Sequence, residues 1–120
     1  KSRSKSVRCL MLKVSITDVG GEVVHDTDVY TVKDNNHLKD LTVSSTMLRA
    51  KQMTSGHSHE GQEEVYHFTK GRGSMQIDDK TFPVDAGDVI LVDSGEYHRV
   101  YNDSDLGLHF VCVFNGGRNH

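Results

Sequence analysis

The chain has 120 residues and a mass of 13.4 kDa, which is the size of a single domain. A hydrophobic content of 35% and a charged content of 26% are typical of a folded globular protein and exclude a disordered tail. The net charge of -3 lacks the basic excess of a nucleic-acid-binding domain. No uncharged apolar stretch approaches the roughly 18 residues that a membrane-spanning helix needs. We therefore expect a small-molecule partner, no nucleic acid and no membrane.

The pattern of apolar residues predicts a mostly β protein. Imperfect alternation predicts a strand over residues 7–17, a turn at 18–21 and a short strand at 29–33. Residues 41–53 are ambiguous between helix and strand. From residue 63 onward, turns rich in Gly, Asn and Asp separate six short strands: 63–69, 74–78, 81–84, 88–92, 97–101 and 106–114. Many short strands at even intervals predict a sandwich, barrel or jelly roll.

The two cysteines carry no metal or redox signal. Cys9 and Cys112 lie in apolar runs without Cys-x-x-Cys spacing, which favours two reduced, buried thiols, although the sequence leaves a disulfide between them open. The basic, serine-rich start of the chain lacks the apolar stretch of a signal peptide. We therefore expect a reducing, cytoplasmic location.

Histidines and one carboxylate form the chemical signal of this sequence. Among eight histidines, His57 and His59 form a His-x-His pair whose rings project from the same face of an extended segment. With so many histidines, the chance of one accidental pair is roughly 0.5. Glu64 follows five residues after the pair, and His98 lies on a later predicted strand. Three imidazoles and one carboxylate suit a divalent first-row metal and leave positions for substrate or water.

The spacing of these residues resembles the two sequence motifs of the cupin superfamily. The first motif runs Gly, five residues, His-x-His, three or four residues, Glu, six residues, Gly, and residues 57–71 match it. The second runs Gly, five residues, Pro-x-Gly, two residues, His, three residues, Asn, and residues 87–102 match it. Lys51 replaces the leading Gly of the first motif, and Asp93 replaces the Pro of the second. The resemblance covers about residues 41–114.

The resemblance implies an all-β fold, the cupin double-stranded β-helix or jelly-roll barrel, and it implies that residues 41–53 are strand. It also implies one divalent ion (Mn, Fe, Ni, Zn or Co) held by four side chains, His57, His59, Glu64 and His98. On this basis residues 1–40 form an N-terminal extension whose strands pack on the barrel or on a partner subunit, and residues 41–120 form the barrel. Because exposed strand edges need covering, we expect a homodimer.

Alternation within the strands adds candidate catalytic residues. If Glu64 faces inward, Tyr66 and Phe68 share its face. Tyr66 could donate its hydroxyl to a substrate or an anionic intermediate, or it could simply line the barrel. Glu63 or Tyr66 is the candidate catalytic base.

Three further polar residues each have two interpretations. Arg49 and Lys51 could hold a substrate carboxylate or phosphate, but a solvated outward face is favoured. His109 could be an inward base near the metal or a hydrogen-bonded histidine on a covered outer face, and the second is slightly favoured.

Three functions fit these residues. The first is isomerase or lyase chemistry on a sugar phosphate or another carbonyl compound, in which a metal polarises the carbonyl and a side-chain base moves a proton. Cupins that interconvert sugar phosphates carry Glu-x-Tyr, and residues 64–66 resemble it. The second function is that of a mononuclear iron dioxygenase. The third is a non-catalytic module that binds a metal or a metabolite, and the sequence does not separate the three.

Overall fold

The computed structural model describes residues 12–118, and within that range the chain forms nine strands and no helix. The described part of the chain accordingly offers no helix that could span a membrane. The strands are β1 Glu22–Asp26, β2 Tyr30–Asn35, β3 Leu41–Leu48, β4 Glu64–Lys70, β5 Arg72–Ile77, β6 Lys80–Asp85, β7 Val89–Val92, β8 His98–Tyr101 and β9 Leu108–Asn115.

Two antiparallel sheets make up the fold. The larger sheet has the strand order β1-β2-β3-β9-β4-β7, and the smaller one has the order β6-β5-β8. In the larger sheet β9 lies between β3 and β4, the type of crossover found in jelly rolls. Single bridges from Met53 to Tyr101 and from His57 to His98 bring the segment before β4 beside β8. The all-β jelly-roll prediction is confirmed, and the six strands predicted after residue 63 all form.

Side chains that alternate along the strands fill the space between the sheets. On β4, Glu64, Tyr66 and Phe68 are buried, whereas Val65 between them is exposed. The inward face of β4 is therefore the one that alternation predicts. The apolar core consists of Leu48, Tyr66, Phe68, Met75, Val84, Val92, Val100, Leu108, Phe110, Cys112 and Phe114.

The N-terminal part differs from the prediction. Residues 12–15 have no regular structure and residues 16–20 form a turn. The prediction of a strand over residues 7–17 is therefore wrong for the part of it that the structure describes. Residues 7–11 lie outside the described range. Hydroxyl and carboxylate side chains bond locally here: the Asp18 carboxylate accepts the Gly20 N–H at 3.0 Å, which stabilises a turn in place of a strand. Strand β1 was not predicted, because most of its residues are exposed and it lacks an alternating pattern.

Strands β1 and β2 extend the larger sheet past β3. The register of β2 on β3 runs from Tyr30 opposite Leu48 to Asn35 opposite Val43. In the described structure this pair of strands therefore packs on the barrel of its own chain. The division at residue 40 into an extension and a barrel remains a prediction.

The ambiguous segment 41–53 is strand only over Leu41–Leu48. Beyond it the chain turns, and Lys51 adopts a φ of 65° in the left-handed region. Lys51 occupies the position at which the first motif has its leading Gly, the residue that adopts this conformation without steric strain. The departure from the motif therefore affects the backbone of a turn.

One face of the larger sheet carries apolar side chains that are half-buried or exposed. Val43, Val113, Val65 and Leu91 lie opposite one another in register on β3, β9, β4 and β7. We call these four residues the outer apolar row. Leu91 is the most exposed of them, at 73%.

Candidate metal centre

Three side chains from separate segments meet inside the barrel. His57 precedes β4, Glu64 begins β4 and His98 begins β8, and one potential ligand atom from each lies within 4.8 Å of the others. Nε2 of His98 is 3.1 Å from Oε1 of Glu64, and the ring centroids of His57 and His98 are 4.4 Å apart. Neighbouring donors around an ion with bonds of about 2.1 Å are roughly 3.0 Å apart, and opposite donors roughly 4.2 Å. The cluster is close to the size of a coordination sphere.

The backbone brings the two histidines together. The His57 N–H donates to the His98 carbonyl at 3.2 Å, and the His98 N–H donates to the His57 carbonyl at 2.9 Å. Gly56 allows this approach, because a Cβ built on it would lie 1.7 Å from the Tyr97 hydroxyl oxygen. Sequence analysis did not identify Gly56, since it lies between the motif's fixed positions.

Backbone carbonyls orient both rings. Nδ1 of His98 lies 2.9 Å from the Glu96 carbonyl oxygen, and Nδ1 of His57 lies 3.3 Å from that of Ser55. A proton on Nδ1 donated to a carbonyl leaves Nε2 as the atom that can bind a metal. Burial lowers the pKa of His98, but hydrogen bonds to Glu64 and to the Glu96 carbonyl outweigh it and raise the pKa overall. The surroundings of His98 therefore favour positive charge.

The other predicted ligand, His59, lies next to the cluster but outside it. Its ring centroid is 4.9 Å from that of His57, and the ring is half-buried. Within the described residues, the group of close ligand atoms contains only His57, Glu64 and His98.

Glu63 is not at the cluster. It is exposed and lines a hollow of about 530 Å³ together with Val65 and Leu91 of the outer apolar row. Successive side chains of a strand point to opposite faces, so the inward position of Glu64 turns Glu63 away. Glu64 of the cluster also lines this hollow. The structure therefore places Glu63 on the outer face of β4, opposite to Tyr66, and its role as a catalytic base stays a prediction.

Tyr66 lies beside the cluster. Its ring meets that of His98 edge-on with centroids 5.8 Å apart, and the residue is only 5% exposed. Burial raises the pKa of its hydroxyl well above the ordinary value, and Cys112 and Glu64 raise it further. The hydroxyl is therefore protonated at neutral pH, which suits a hydrogen-bond donor and not a base.

A cavity of about 320 Å³ opens next to the cluster. Its size is at the lower end of the roughly 300–1,000 Å³ that is typical of ligand sites, which indicates a small metabolite. Its described lining includes His57, Glu64 and Tyr66 on one side and Tyr30, Ser44, Thr46 and Arg118 from other segments. Sequence analysis did not identify Arg118, which follows the last predicted strand and belongs to neither motif.

The remaining polar candidates lie away from this cavity. Arg49 is exposed and pairs with Asp26 at 3.3 Å, and Lys51 is exposed and 3.4 Å from Asp105, so the solvated interpretation is confirmed for both. His109 is buried on the side of β9 opposite Phe110, Cys112 and Phe114. Its Nε2 lies 2.9 Å from the Ser45 hydroxyl and 3.1 Å from the Thr17 carbonyl, and Thr69 contacts its Nδ1. The interpretation of His109 as a hydrogen-bonded histidine on a covered outer face is confirmed.

The described residues include one of the two cysteines, Cys112. Cys112 is a buried free thiol whose pKa is raised, chiefly by burial. Cys9, its possible partner, lies outside the described residues.

Residues 46–114 match the Cupin domain family model, which covers more than half of the chain. A segment of 57 residues is 40% identical to the oxalate-binding protein of Thermotoga maritima and covers 48% of this chain. The matched segment spans 47%, or about half, of that relative's length.

Solved structures share the fold. A predicted oxalate decarboxylase from Thermotoga maritima superposes with a TM-score of 0.73 at 23% identity, covering 85% of this chain and 98% of that one. A sugar phosphate isomerase of the cupin superfamily from Silicibacter pomeroyi superposes with a TM-score of 0.71 at 20% identity, covering 80% and 73% of the two chains. With the matched domain, the jelly-roll topology and the buried histidine and glutamate cluster in agreement, the chain belongs to the cupin family.

Proposed function

We propose that this protein is a metal-dependent cupin that acts on a small carbonyl or carboxylate compound by isomerase or lyase chemistry. The observation that carries the proposal is the position of His57, Glu64 and His98 beside a cavity of about 320 Å³. Buried ligand atoms next to a cavity of metabolite size can hold an ion while leaving coordination positions for a substrate.

The donor set fits one divalent ion. Imidazole nitrogen and carboxylate oxygen suit Mn, Fe, Co, Ni or Zn, and we propose His59 as the fourth ligand because its ring adjoins that of His57. When bound, such an ion polarises a carbonyl or carboxylate oxygen of the substrate. The carbonyl groups of Ser55 and Glu96 lie within hydrogen-bond distance of Nδ1 of the two imidazoles, which would leave Nε2 of each ring to bind the ion.

Tyr66 is the candidate catalytic residue that we retain. Because its buried hydroxyl is protonated, it can donate a hydrogen bond or a proton to an oxygen on which negative charge develops. In this role it stabilises an anionic intermediate, and it does not remove a proton from the substrate.

The names of two similar proteins suggest the first compounds to test as substrates. The Thermotoga relative is named an oxalate-binding protein, and the Silicibacter neighbour is a sugar phosphate isomerase. Oxalate and a hexose phosphate therefore represent the lyase and isomerase versions of the proposal. The iron dioxygenase and the non-catalytic binding module remain alternatives that the same preparation can test.

The metal site is tested by elemental analysis of protein purified without a histidine tag. We expect about one equivalent of metal in the parent protein and in a His37→Ala control, whose histidine is exposed. His57→Ala and His98→Ala should lose the metal. An unloaded parent protein, even after reconstitution with each candidate ion, would contradict the proposal.

Activity is then measured on the metal-loaded protein. Formation of carbon dioxide from oxalate, or of a new sugar isomer seen by NMR, supports lyase or isomerase chemistry, and Tyr66→Phe should slow it. Oxygen consumption by iron-loaded protein with a thiol, diketone or aromatic diol would favour the dioxygenase. Tight ligand binding without turnover would favour the non-catalytic module.

A further inference from the structure

A cationic side chain reaches the metal cavity from beyond the matched cupin domain. Arg118 follows β9, and the turn that returns it to the barrel uses Gly116, whose φ is 76°. Two hydrogen bonds fix this turn. The Gly116 N–H donates to the Asp40 carbonyl at 2.8 Å, and the Thr42 hydroxyl donates to the Gly116 carbonyl at 2.7 Å. The turn therefore places Arg118 in the cavity wall.

The guanidinium of Arg118 is held in one orientation. Its Nε donates to one Asp34 carboxylate oxygen at 2.7 Å and its Nη2 donates to the other at 2.9 Å, while Nη2 also donates to the Ser44 hydroxyl at 2.9 Å. The group lies over the Phe114 ring, 5.4 Å from its centroid. Two-point pairing fixes the plane of a guanidinium, so Asp34 acts as a positioning residue.

The other charged groups of the cavity favour an anionic ligand. Among the described lining residues, Arg118 is the one permanent cation, and Glu64 is the one carboxylate. Glu64 belongs to the metal cluster, where a bound divalent ion would more than offset its charge. Hydroxyl groups from Tyr30, Ser44 and Thr46 complete the wall. With a divalent ion bound, the positive charges of this ion and of Arg118 would exceed the negative charges of Glu64 and of Asp34, which pairs with Arg118.

We propose that Arg118 determines substrate specificity by binding a carboxylate of a small organic acid whose other oxygen atoms face the metal cluster. A carboxylate fits better than a phosphate, because Asp34 offsets the one charge of Arg118, and Glu64 with a bound divalent ion would leave one net positive charge for the ligand. This inference rests on the proposed function and narrows its substrate to the carboxylate class.

The test is the affinity of the cobalt-loaded protein for oxalate, measured by calorimetry. The variants are Arg118→Gln, Arg118→Lys and a double variant that combines Asp34→Asn with Arg118→Gln. The double variant removes both partners of the ion pair, so the Asp34 carboxylate is not left buried without its cation. Arg49→Gln is the matched control, because Arg49 also pairs with an aspartate but lies on the surface. The cobalt content and the visible spectrum report whether the metal centre is intact in each variant.

We expect the Arg118→Gln variant and the double variant to bind oxalate at least about 10-fold more weakly while keeping their cobalt, since a charge-assisted contact is lost. Arg118→Lys should be intermediate, and Arg49→Gln unchanged. Parent-like affinity in the double variant would overturn the assignment. The assignment would also be overturned if the parent protein bound cobalt but did not bind oxalate, malonate or pyruvate. In that case the proposal of a metal centre would still stand. A parent protein that binds no cobalt would overturn the proposed function and this inference with it.

Discussion

Asn102 is a buried polar residue whose side chain holds several backbone groups together. The side chain is 1% exposed, and its amide nitrogen donates to the carbonyls of Leu48 and Arg49, each at 3.1 Å, and of Leu106 at 2.8 Å. Its oxygen accepts from the Ser104 N–H at 3.1 Å and from the Ser104 hydroxyl at 2.7 Å. One amide therefore ties the end of β3 to the loop between β8 and β9.

The cost of Asn102→Ala follows from these contacts. The amide group has two hydrogens and two lone pairs, so it makes the equivalent of about four full hydrogen bonds at roughly 1 kcal/mol each. We expect the free energy of unfolding to fall by about 4 kcal/mol. Asn102→Asp should be at least as damaging, because it sets carboxylate oxygens against carbonyl oxygens.

The assay is urea unfolding at 25 °C, followed by circular dichroism because the chain has no tryptophan. A chelator removes the contribution of bound metal to stability. Asn36→Ala is the control, since Asn36 is exposed and its side-chain oxygen, 3.2 Å from the Thr42 hydroxyl, at most shares the hydroxyl hydrogen with the Gly116 carbonyl. It should lose less than about 1 kcal/mol. A loss below about 1 kcal/mol in Asn102→Ala, or parent stability in Asn102→Asp, would refute the reasoning.

Three further predictions concern a turn, an ion pair and a surface. The free energy of unfolding in urea should be about 1 kcal/mol higher for Lys51→Gly than for Lys51→Ala. Both variants lose the surface contacts of Lys51, but only glycine adopts the φ of 65° without steric strain. Equal stability of the two variants would show that the turn is unstrained. Burial raises the pKa of Asp34, but hydrogen bonds from Arg118 and Ser44 outweigh this effect, so the pKa in the folded protein is lowered. The Asp34 carboxylate therefore stabilises the fold at pH values above its unfolded pKa of about 3.9. This contribution is lost as the pH falls through the lower pKa of the folded state. The stability advantage of the parent over Asp34→Asn in urea should therefore shrink between pH 5 and strongly acidic pH, and an advantage that stays constant would contradict this sign. Light scattering at micromolar concentration should give a homodimer that Leu91→Lys shifts towards monomer, whereas a monomeric parent would rule out the predicted assembly.

The candidate metal cluster and the inward face of β4 were accessible from the sequence because they depend on motif spacing and strand alternation. The spacing of His57 and Glu64 along the chain, and of His98 after its turn, resembles a known motif, and the structure brings these three together. Strand alternation has a period of two, so an inward Glu64 also predicted that Tyr66 is inward. The same rule places Glu63 on the outer face, once the face of Glu64 is known.

The tertiary structure alone decided what surrounds the metal cluster. Strand β1 is largely exposed, so no alternation in its sequence distinguishes it from a loop. Arg118 and Asp34 are 84 positions apart, and their contact exists because β2 and the end of β9 are brought to one cavity by their separate pairing with β3. Local patterns determined the strands and the ligand spacing, whereas the charge of the cavity wall depends on long-range packing that leaves no periodic signal in the sequence.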